Sequence, residues 1–390
     1  MASLTTPPTL VILQLTGGND PLNTVIPYGD PLYYDNRPTV RIAEEDVLRI
    51  DNMYGFHPSM AAIKPFWDAG KMAILAGIGY PNVDYSHFRS MDIWYTCEPE
   101  TMATDGWLGK VVREIDPSAE NVLTAVNFGR GLPRAFTLDG VPVASVAELD
   151  NYGLLTGLAS VAERQSALDV FSCMYDDGWN DMGQRPVKLR QPSESLGSVL
   201  RYMGQTGLDA QKGADILRTA VDGYNSTVTY PSSSIASSLK GIAQVKLAGL
   251  GTRVFYCATG SFDTHANQLK VHGQLWQEVS EAVAAFFADL RQHQAAEDVI
   301  MLLWTEFGRR ARDNGAGTDH GAGGHAFVIG ERVKGGFYGE YPSLRERDLT
   351  LGNLKYGIDF RSAYSSILER WLDIEAKPIV GGNFEQLAFV

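Results

Sequence analysis

The chain has 390 residues and a formal net charge of −13, so it is long enough to bury a large core and is strongly acidic. Acidic residues are spread along the sequence, which argues against nucleic acid or an anionic membrane as the main partner, since both require a basic face. The three cysteines form no CxxC pair, which excludes a zinc ribbon. No run of about 18 apolar residues is present, so no membrane span is predicted.

The first predicted element is a buried strand over residues 10–15, followed by Gly17, Gly18 and then Asp20. Glycine, asparagine and aspartate are the commonest turn residues, so a plain turn is one interpretation. The other is that the glycines place Asp20 at the carboxyl end of a strand, where an α/β sheet holds its ligands. We favour the second interpretation once the rest of the chain is considered.

The next elements also alternate between strand and helix. Residues 59–70 are predicted to form a helix, residues 71–81 a short buried strand, and residues 84–96 the start of another helix. The order of strand, loop and helix indicates a parallel α/β sheet. The stretch from about 95 to 235 is less regular, and we predict that it forms a cap or insertion built on the sheet.

Regular patterns return in the second half of the chain. The predicted elements are a helix over 232–251, a strand over 252–260, a helix over about 266–293, strands over 299–304 and 327–330, and a helix over about 360–372. The sequence therefore predicts an α/β fold: one three-layer α/β/α sandwich domain over residues 1–390, with the cap inside it, and not two independent domains.

Polar side chains with metal-binding or catalytic chemistry follow the predicted strands. They are Asp20, Ser86, His87, Asp263, His265, Glu306, Arg309, Asp319, His320 and His325. Because the loops after parallel strands gather at one edge of a sheet, we expect these side chains to lie close together. Mixed histidine and carboxylate ligands suit zinc, manganese, iron or calcium, and a hydroxyl at a helix N-terminus completes a set typical of a two-metal hydrolase.

Each of these residues also has a simpler interpretation. Asp263 could cap a helix, His87 could be a surface residue, and Glu306 could be an ion-pair partner of Arg309. Rival chemistries have weaker support, because the chain contains no GxSxG elbow, no GxxxxGK[ST] motif and no complete dinucleotide fingerprint. The metal-dependent interpretation is therefore the preferred one.

Several motifs resemble those of a known family: QLTGGND, SHFRSMDIWYT, GSFDTHANQ, TEFGRR, TDHG and PIVGGNFE. They are similar to motifs of the exported, sulfatase-like family of unknown function numbered fifteen-oh-one, and they extend from residue 10 to about 388. That family is related to the alkaline phosphatase superfamily. The resemblance therefore implies an α/β/α sandwich of the alkaline phosphatase/sulfatase type.

The resemblance also implies export. Family members usually carry a twin-arginine signal, which this chain lacks, since it starts with MASLTTPPTL and has neither a basic nor a hydrophobic leader segment. Pro7 and Pro8 stand directly before the first strand and are typical of the end of a leader. We expect a mature periplasmic or otherwise exported protein.

Roles for individual residues follow from the same resemblance. Asp20 looks like a ligand of one metal, and Ser86 looks like the hydroxyl nucleophile, with Ser90 as a weaker candidate. Arg89 or Arg309 would brace the non-bridging oxygens of the substrate, because a guanidinium binds such oxygens bidentately. Arg89 could equally be a surface residue at a helix start.

The second implied metal site uses residues from later loops. Asp263 and His265 look like its first two ligands, and a later histidine, His320 or His325, completes it. Because TDHG carries the resemblance, His320 is the preferred ligand and His325 a contact to the substrate or to another ligand. Only one residue separates Asp263 from His265, where the superfamily commonly has three. SHFRS does not fit the frame of a formylglycine sulfatase either.

A further departure concerns Glu306, expected as a ligand beside Asp20. The superfamily's Asp-His pair after a later strand is replaced by Glu306-Phe307. One metal site then lacks a histidine, unless His87 or the Asp319-His320 pair supplies it. This departure supports an alternative function, that of an exported binding or assembly protein that keeps the fold without catalysis.

The leading expectation from sequence is a metal-dependent hydrolase of phosphate or sulfate esters. Ser86 would attack a small anionic ester substrate, and one or two divalent ions, zinc, manganese or calcium, would activate it. A phosphatase or phosphodiesterase is preferred over a formylglycine sulfatase.

Overall fold

The computed structural model describes residues 7–147 and 220–390, together with residues 149, 163, 213, 216 and 217. The strands are β1 (Thr9–Leu15), β2 (Val25–Ile26), β3 (Leu48–Arg49), β4 (Gly55–Phe56), β5 (Met72–Gly79), β6 (Ala125–Phe128), β7 (Ala144–Val146), β8 (Val254–Thr259), β9 (Val299–Trp304), β10 (Gly324–Gly330), β11 (Gly336–Tyr338) and β12 (Ile358–Asp359). The α-helices are α1 (Pro31–Asn36), α2 (Lys64–Asp68), α3 (His87–Thr96), α4 (Trp107–Ile115), α5 (Ser234–Leu247), α6 (Gln268–Gln292), α7 (Phe360–Ile367) and α8 (Lys377–Val380).

One large sheet organises the described residues, with the strand order β11-β5-β10-β9-β1-β8-β6-β7 and with β12 also paired to β5. Strand β1 lies at its centre and runs parallel to β8 and β9. Strand β10 is antiparallel to both β9 and β5. The prediction of a parallel sheet is therefore wrong for β10. No helix lies between β9 and β10 to carry the chain back across the sheet, as a parallel connection requires.

Helices cover both faces of this sheet. Alternate residues of a strand point to opposite faces, and β1 follows this rule. Val11 and Leu13 belong to the core that contains α5 and α6, whereas Leu10 and Ile12 belong to the core that contains α3, α4 and α7. All of β1 is buried, as expected for a central strand covered on both faces. The predicted α/β fold class with three layers is confirmed.

Two predicted helices differ in detail from the observed ones. The helix expected over 59–70 is a 3₁₀ turn at Pro58–Met60 followed by the short α2. Pro65 has no backbone N–H and is tolerated only in the first turn of a helix, so it sits where α2 begins. The final helix expected over 360–372 is α7 continued by a π-helical turn at Leu368–Leu372.

Part of the predicted cap belongs to the sandwich. Strands β6 and β7 lie inside the interval 95–235, yet β6 pairs with β8 and β7 pairs with β6 in the central sheet. The start of a cap at about residue 95 is therefore corrected, because short strands of three or four residues carry little sequence signal. Most of residues 148–219, including Cys173, lies outside the described residues, and a cap there stays a prediction.

Three histidines are buried away from the loops discussed below. His57, His272 and His325 are each less than 5% exposed. Burial disfavours the charged imidazolium and lowers the pKa of His57 to about 4, that of His272 to about 3 and that of His325 to about 4. All three rings are therefore neutral in the folded chain at neutral pH.

We expect the free energy of unfolding to fall as the pH is lowered from 7.5 to 5. Below a pKa of about 6.5 the unfolded chain protonates these histidines, while the folded chain keeps them neutral down to the lowered values. Each histidine then costs about 2 kcal/mol at pH 5. Urea unfolding at both pH values, with a chelator present, measures the difference. The His325→Phe variant should lose less stability than the parent over this range, and an identical loss would contradict the assignment.

Candidate metal centre

The turn after β1 is in close contact with two other loops at the same edge of the sheet. Gly17 and Gly18 have positive φ angles of +115° and +76°, which favour glycine. A Cβ atom on Gly17 would lie 2.4 Å from the backbone nitrogen of Asp263, and one on Gly18 would lie 2.5 Å from the ring of Phe307. The two glycines therefore let the loops after β8 and β9 pack closely against the end of β1.

Asp20 forms a buried ion pair with Arg37. It is fully buried, and Arg37 binds both its carboxylate oxygens at 2.5 and 2.8 Å. The Nε2 atom of Gln268 donates a further bond of 2.5 Å. Burial would raise the pKa of Asp20, but the charge and hydrogen bonds of Arg37 outweigh it and lower the pKa below the usual range. Both oxygens of Asp20 are therefore engaged by Arg37 and Gln268, and its role as a metal ligand stays a prediction.

Asp263 and two histidines meet where the loops after β8 and β9 come together. The Oδ1 atom of Asp263 lies 2.9 Å from Nε2 of His265 and 3.1 Å from Nε2 of His320. The two histidine Nε2 atoms are 3.0 Å apart. Two tight backbone hydrogen bonds, from Thr264 to the Phe262 carbonyl and from His265 to the Asp263 carbonyl, fold this segment so that both side chains converge.

The other ring nitrogen of each histidine fixes its tautomer. Nδ1 of His320 lies 2.8 Å from the carbonyl oxygen of Tyr85, which can only accept, so this nitrogen carries the proton. Nδ1 of His265 donates in the same way to Asp319 over 3.1 Å. Hydrogen bonds from Asn314 lower the pKa of Asp319, which keeps its carboxylate ionised. In a neutral ring the Nε2 atom of His265 or His320 is then an electron-pair donor.

A third histidine approaches Asp263 from the start of α3. Nδ1 of His87 donates to Oε1 of the buried Glu306 over 2.7 Å. Its Nε2 atom is 3.5 Å from Oδ2 of Asp263 and has no hydrogen-bond partner among the described residues. The ring of Phe307 packs against His87 with centroids 4.9 Å apart. Glu306, expected as a ligand, therefore orients His87, and it also accepts a bond from the N–H of Gly17.

Arg309 links the loops that surround Asp263 through buried hydrogen bonds. It is fully buried, and its Nη2 atom lies 2.6 Å from Oδ1 of Asp263. It also donates to the carbonyl oxygens of Gly17, Gly18 and Thr318. Arg309 therefore joins the ends of β1, β8 and β9, and it pairs with Asp263 rather than with Glu306. With its guanidinium committed to the protein, it is not placed to brace a substrate, contrary to the expectation.

These contacts determine the charge of Asp263. Partial burial would raise its pKa, but the hydrogen bond and charge of Arg309, together with His320 and His265, lower the pKa to about 2. Asp263 is therefore a carboxylate at any pH at which the protein would work. Its side chain remains 41% exposed, so it is accessible from solvent.

The donor set fits a divalent cation. His87, Asp263 and His320 each offer a ligand atom, and these atoms lie within 4.8 Å of one another. His265 adds a fourth donor, close to both Asp263 and His320. The lone pairs of two neutral Nε2 atoms 3.0 Å apart repel unless a proton or a cation lies between them. Donors bound to a tetrahedral zinc lie about 3.4 Å apart, close to the 2.9–3.5 Å that separate Asp263 from the three histidine Nε2 atoms.

The partners of the three histidines complete the same pattern. Metal-binding histidines usually donate their second ring nitrogen to a carboxylate or a carbonyl, which fixes the ring and makes it a better ligand. Glu306, Asp319 and the Tyr85 carbonyl occupy these positions. The convergence on one carboxylate of three histidines, each held by its Nδ1 atom, defines the candidate metal centre.

Three other residues predicted for the site, Ser86, Arg89 and His325, lie beside the candidate metal centre or outside it. Ser86 is the exposed N-cap of α3, directly before His87, and its hydroxyl makes no capping bond within the described chain. Arg89 binds Asp92 at 2.8 Å and three carbonyl oxygens of residues 98–101, so it has a structural role. His325 lies inside β10, buried against the ring of Tyr341. The structure does not bring His325 into the metal-binding set.

Residues 204–380 match the sequence model of a family described as "Protein of unknown function (DUF1501)". The match covers 177 of the 390 residues, which is less than half of the chain. The family segment contains Asp263, His265 and His320, which form most of the candidate centre, while His87 lies before it. The resemblance inferred from the motifs is confirmed. No curated protein matches the chain significantly.

Solved structures with limited similarity to this chain come from several bacteria. A sulfatase from Pseudoalteromonas sp. is 11% identical with a TM-score of 0.41, over 98% of this chain and 71% of that one. An alkaline phosphatase superfamily protein from Vibrio parahaemolyticus is 9% identical with a TM-score of 0.39, over 91% and 68%. The lipoteichoic acid synthase LtaP from Listeria monocytogenes is 8% identical with a TM-score of 0.36, over 90% and 74%. All three TM-scores are below 0.5, and these likenesses support no conclusion about this chain.

No helix among the described residues is both long and apolar enough to span a bilayer.

Proposed function

We propose that this protein is a metal-dependent hydrolase of phosphate or sulfate esters. The observation that carries the proposal is the convergence of three histidines, each held by its Nδ1 atom, on the ionised carboxylate of Asp263. His87, Asp263, His265 and His320 would hold a divalent ion. When bound, such an ion would supply positive charge that attracts the anionic ester and stabilises the charge that develops during its cleavage.

The nucleophile in this proposal is Ser86. Its exposed hydroxyl stands at the N-terminus of α3, directly before His87. The Oγ atom forms a bond to phosphorus or sulfur, the bond from that atom to the ester oxygen breaks, and the organic alcohol leaves with the serine proton. Water then attacks the same atom, returns a proton to Ser86 and releases the inorganic anion. The α3 N-terminus favours an anion at this position.

The alternative of a non-catalytic binding protein drew its support from the missing histidine at the Glu306-Phe307 pair. His87 offsets that loss, because it brings a ring nitrogen beside Phe307 to within 3.5 Å of Asp263. The hydrolase is therefore the better supported proposal. Protein purified without chelator should contain metal, and no bound metal with no gain of activity from added zinc, manganese or calcium would reject it.

Replacing the serine tests the proposed nucleophile. The Ser86→Ala variant should lose turnover of aryl phosphates and sulfates, while its metal content and melting temperature stay unchanged, since the side chain is exposed. The measurement is steady-state hydrolysis across a panel of phosphate mono- and diesters, phosphonates and sulfates.

Ser90 provides the matched control. It is fully buried, and its hydroxyl bonds to Tyr80 at 2.7 Å. Ser90→Ala should therefore lower the melting temperature but keep turnover per folded molecule. Equal turnover by Ser86→Ala and the parent would exclude Ser86 as the nucleophile.

A further inference from the structure

A pocket of about 430 Å³ opens beside Ser86. Its apolar lining consists of Phe88, Met91, Tyr95 and Met102. Phe88 is 85% exposed and Met102 is 72% exposed, so two large apolar side chains of the pocket are exposed to solvent. Ligand pockets of this size are typically lined by apolar and aromatic side chains with a few polar groups. The pocket therefore has the composition of a small-molecule site.

Charged side chains in the same pocket are arranged around Asp92. Its carboxylate binds Arg89 on one side and Arg134 on the other. Two guanidinium groups against one carboxylate leave a single positive charge on the pocket wall. The Arg134 side chain is 39% exposed, whereas Asp92 is 6% exposed, so the positive partner faces solvent and the negative one does not. The wall therefore favours an anionic molecule.

The pocket and the candidate metal centre are formed in part by neighbouring residues of the chain. Ser86 lines the pocket and immediately precedes His87, whose ring contacts Glu306 and Asp263. Tyr95, on the same helix α3, donates to Oε1 of Gln14 near the end of β1. Burial raises the pKa of Tyr95, and the nearby Glu306 carboxylate adds to this effect. The pocket and the centre therefore adjoin at Ser86 and His87, at the start of α3.

We propose that this pocket binds the organic group of the substrate and that this group is an aromatic ring. This inference rests on the proposed hydrolase function, since Ser86 would attack the ester anion while the ring occupies the neighbouring pocket. Flexible methionine side chains adapt to flat ligands, and their sulfur atoms make favourable contacts with aromatic rings. The favoured substrates are therefore small aryl phosphates or sulfates, rather than esters of short alkyl alcohols.

Binding of two phosphonates tests the pocket without turnover. Isothermal titration of protein purified without chelator should give a dissociation constant about tenfold lower for phenylphosphonate than for methylphosphonate. The Met102→Ala and Phe88→Ala variants should each lose most of this preference by weakening only phenylphosphonate. Leu351→Ala is the control, because Leu351 is an apolar side chain that is 82% exposed outside the pocket.

The possible outcomes distinguish a failure of the aromatic pocket from a failure of the proposed hydrolase function. Equal binding of the two phosphonates, no binding of either, or equal loss of preference in Leu351→Ala overturns the aromatic pocket, even if esters are hydrolysed. A preference for phenylphosphonate that Met102→Ala removes supports the pocket. If the same protein then hydrolyses no aryl phosphate or sulfate, the pocket stands as a binding site and the hydrolase proposal fails.

Discussion

The His320→Ala variant is expected to lose its metal, whereas His325→Phe should keep it. His320 offers its Nε2 atom 3.1 Å from Asp263, and its Nδ1 atom is tied to the Tyr85 carbonyl. Loss of an outer partner of a metal ligand alone lowers affinity by about 10–100-fold, so loss of the ligand itself should lower it at least as much. Elemental analysis after dialysis against a fixed zinc concentration measures the occupancy.

His325→Phe is a matched control from the same part of the chain. Its ring is buried against Tyr341 inside β10, so a phenyl group of similar size preserves the packing. Circular dichroism should show that both variants remain folded at the temperature of the metal measurement. Full occupancy in His320→Ala would exclude His320 as a required ligand, and metal loss only in His325→Phe would assign that role to His325.

The central strands and the long helix could be predicted from the sequence because their signals are local. Strands β1, β8 and β9 are continuous apolar runs, as expected when both faces are covered. Helix α6 has apolar residues at a spacing of three and four. The direction of β10 could not be predicted, since it depends on the path of a loop that has no periodicity.

The sequence also predicted that Asp263, His265, His320 and His87 lie close together. Each follows a strand or begins the next helix, and strand ends meet at one edge of a sheet. The choice between His320 and His325 depends on where β10 begins. The strand was expected at residue 327, but it starts at Gly324, which places His325 inside it. A boundary error of three residues is thus enough to change the role assigned to a histidine.

The role of Asp20 could not be read from its neighbours. An aspartate after two glycines has the same local pattern whether it binds a metal or an arginine. The decision depends on Arg37, which comes from the end of α1 and also donates to the carbonyl oxygens of Ala311 and Arg310. Such a contact between distant loops leaves no trace in hydrophobic periodicity or turn composition.

The Asp20→Ala variant is expected to lose about 3–5 kcal/mol of stability while it keeps its metal when folded. Asp20 and Arg37 are both fully buried, so removal of the carboxylate leaves a guanidinium charge without its partner in the core. Burial of an unpaired charge costs far more than the loss of a surface pair. Urea unfolding gives the free energy, and elemental analysis at low temperature gives the metal content.

Two further variants isolate the buried charge as the cause. Lys64→Ala breaks an exposed ion pair with Asp68 and should cost about 0.5 kcal/mol or less. The double variant Asp20→Leu with Arg37→Met removes both charges, so it should be more stable than Asp20→Ala, although the carbonyl oxygens of Ala311 and Arg310 lose their donor. If Asp20→Ala instead unfolds at the same urea concentration as the parent but has lost its metal, Asp20 is a ligand, as the family resemblance implies, and its pairing with Arg37 does not persist in the metal-bound protein.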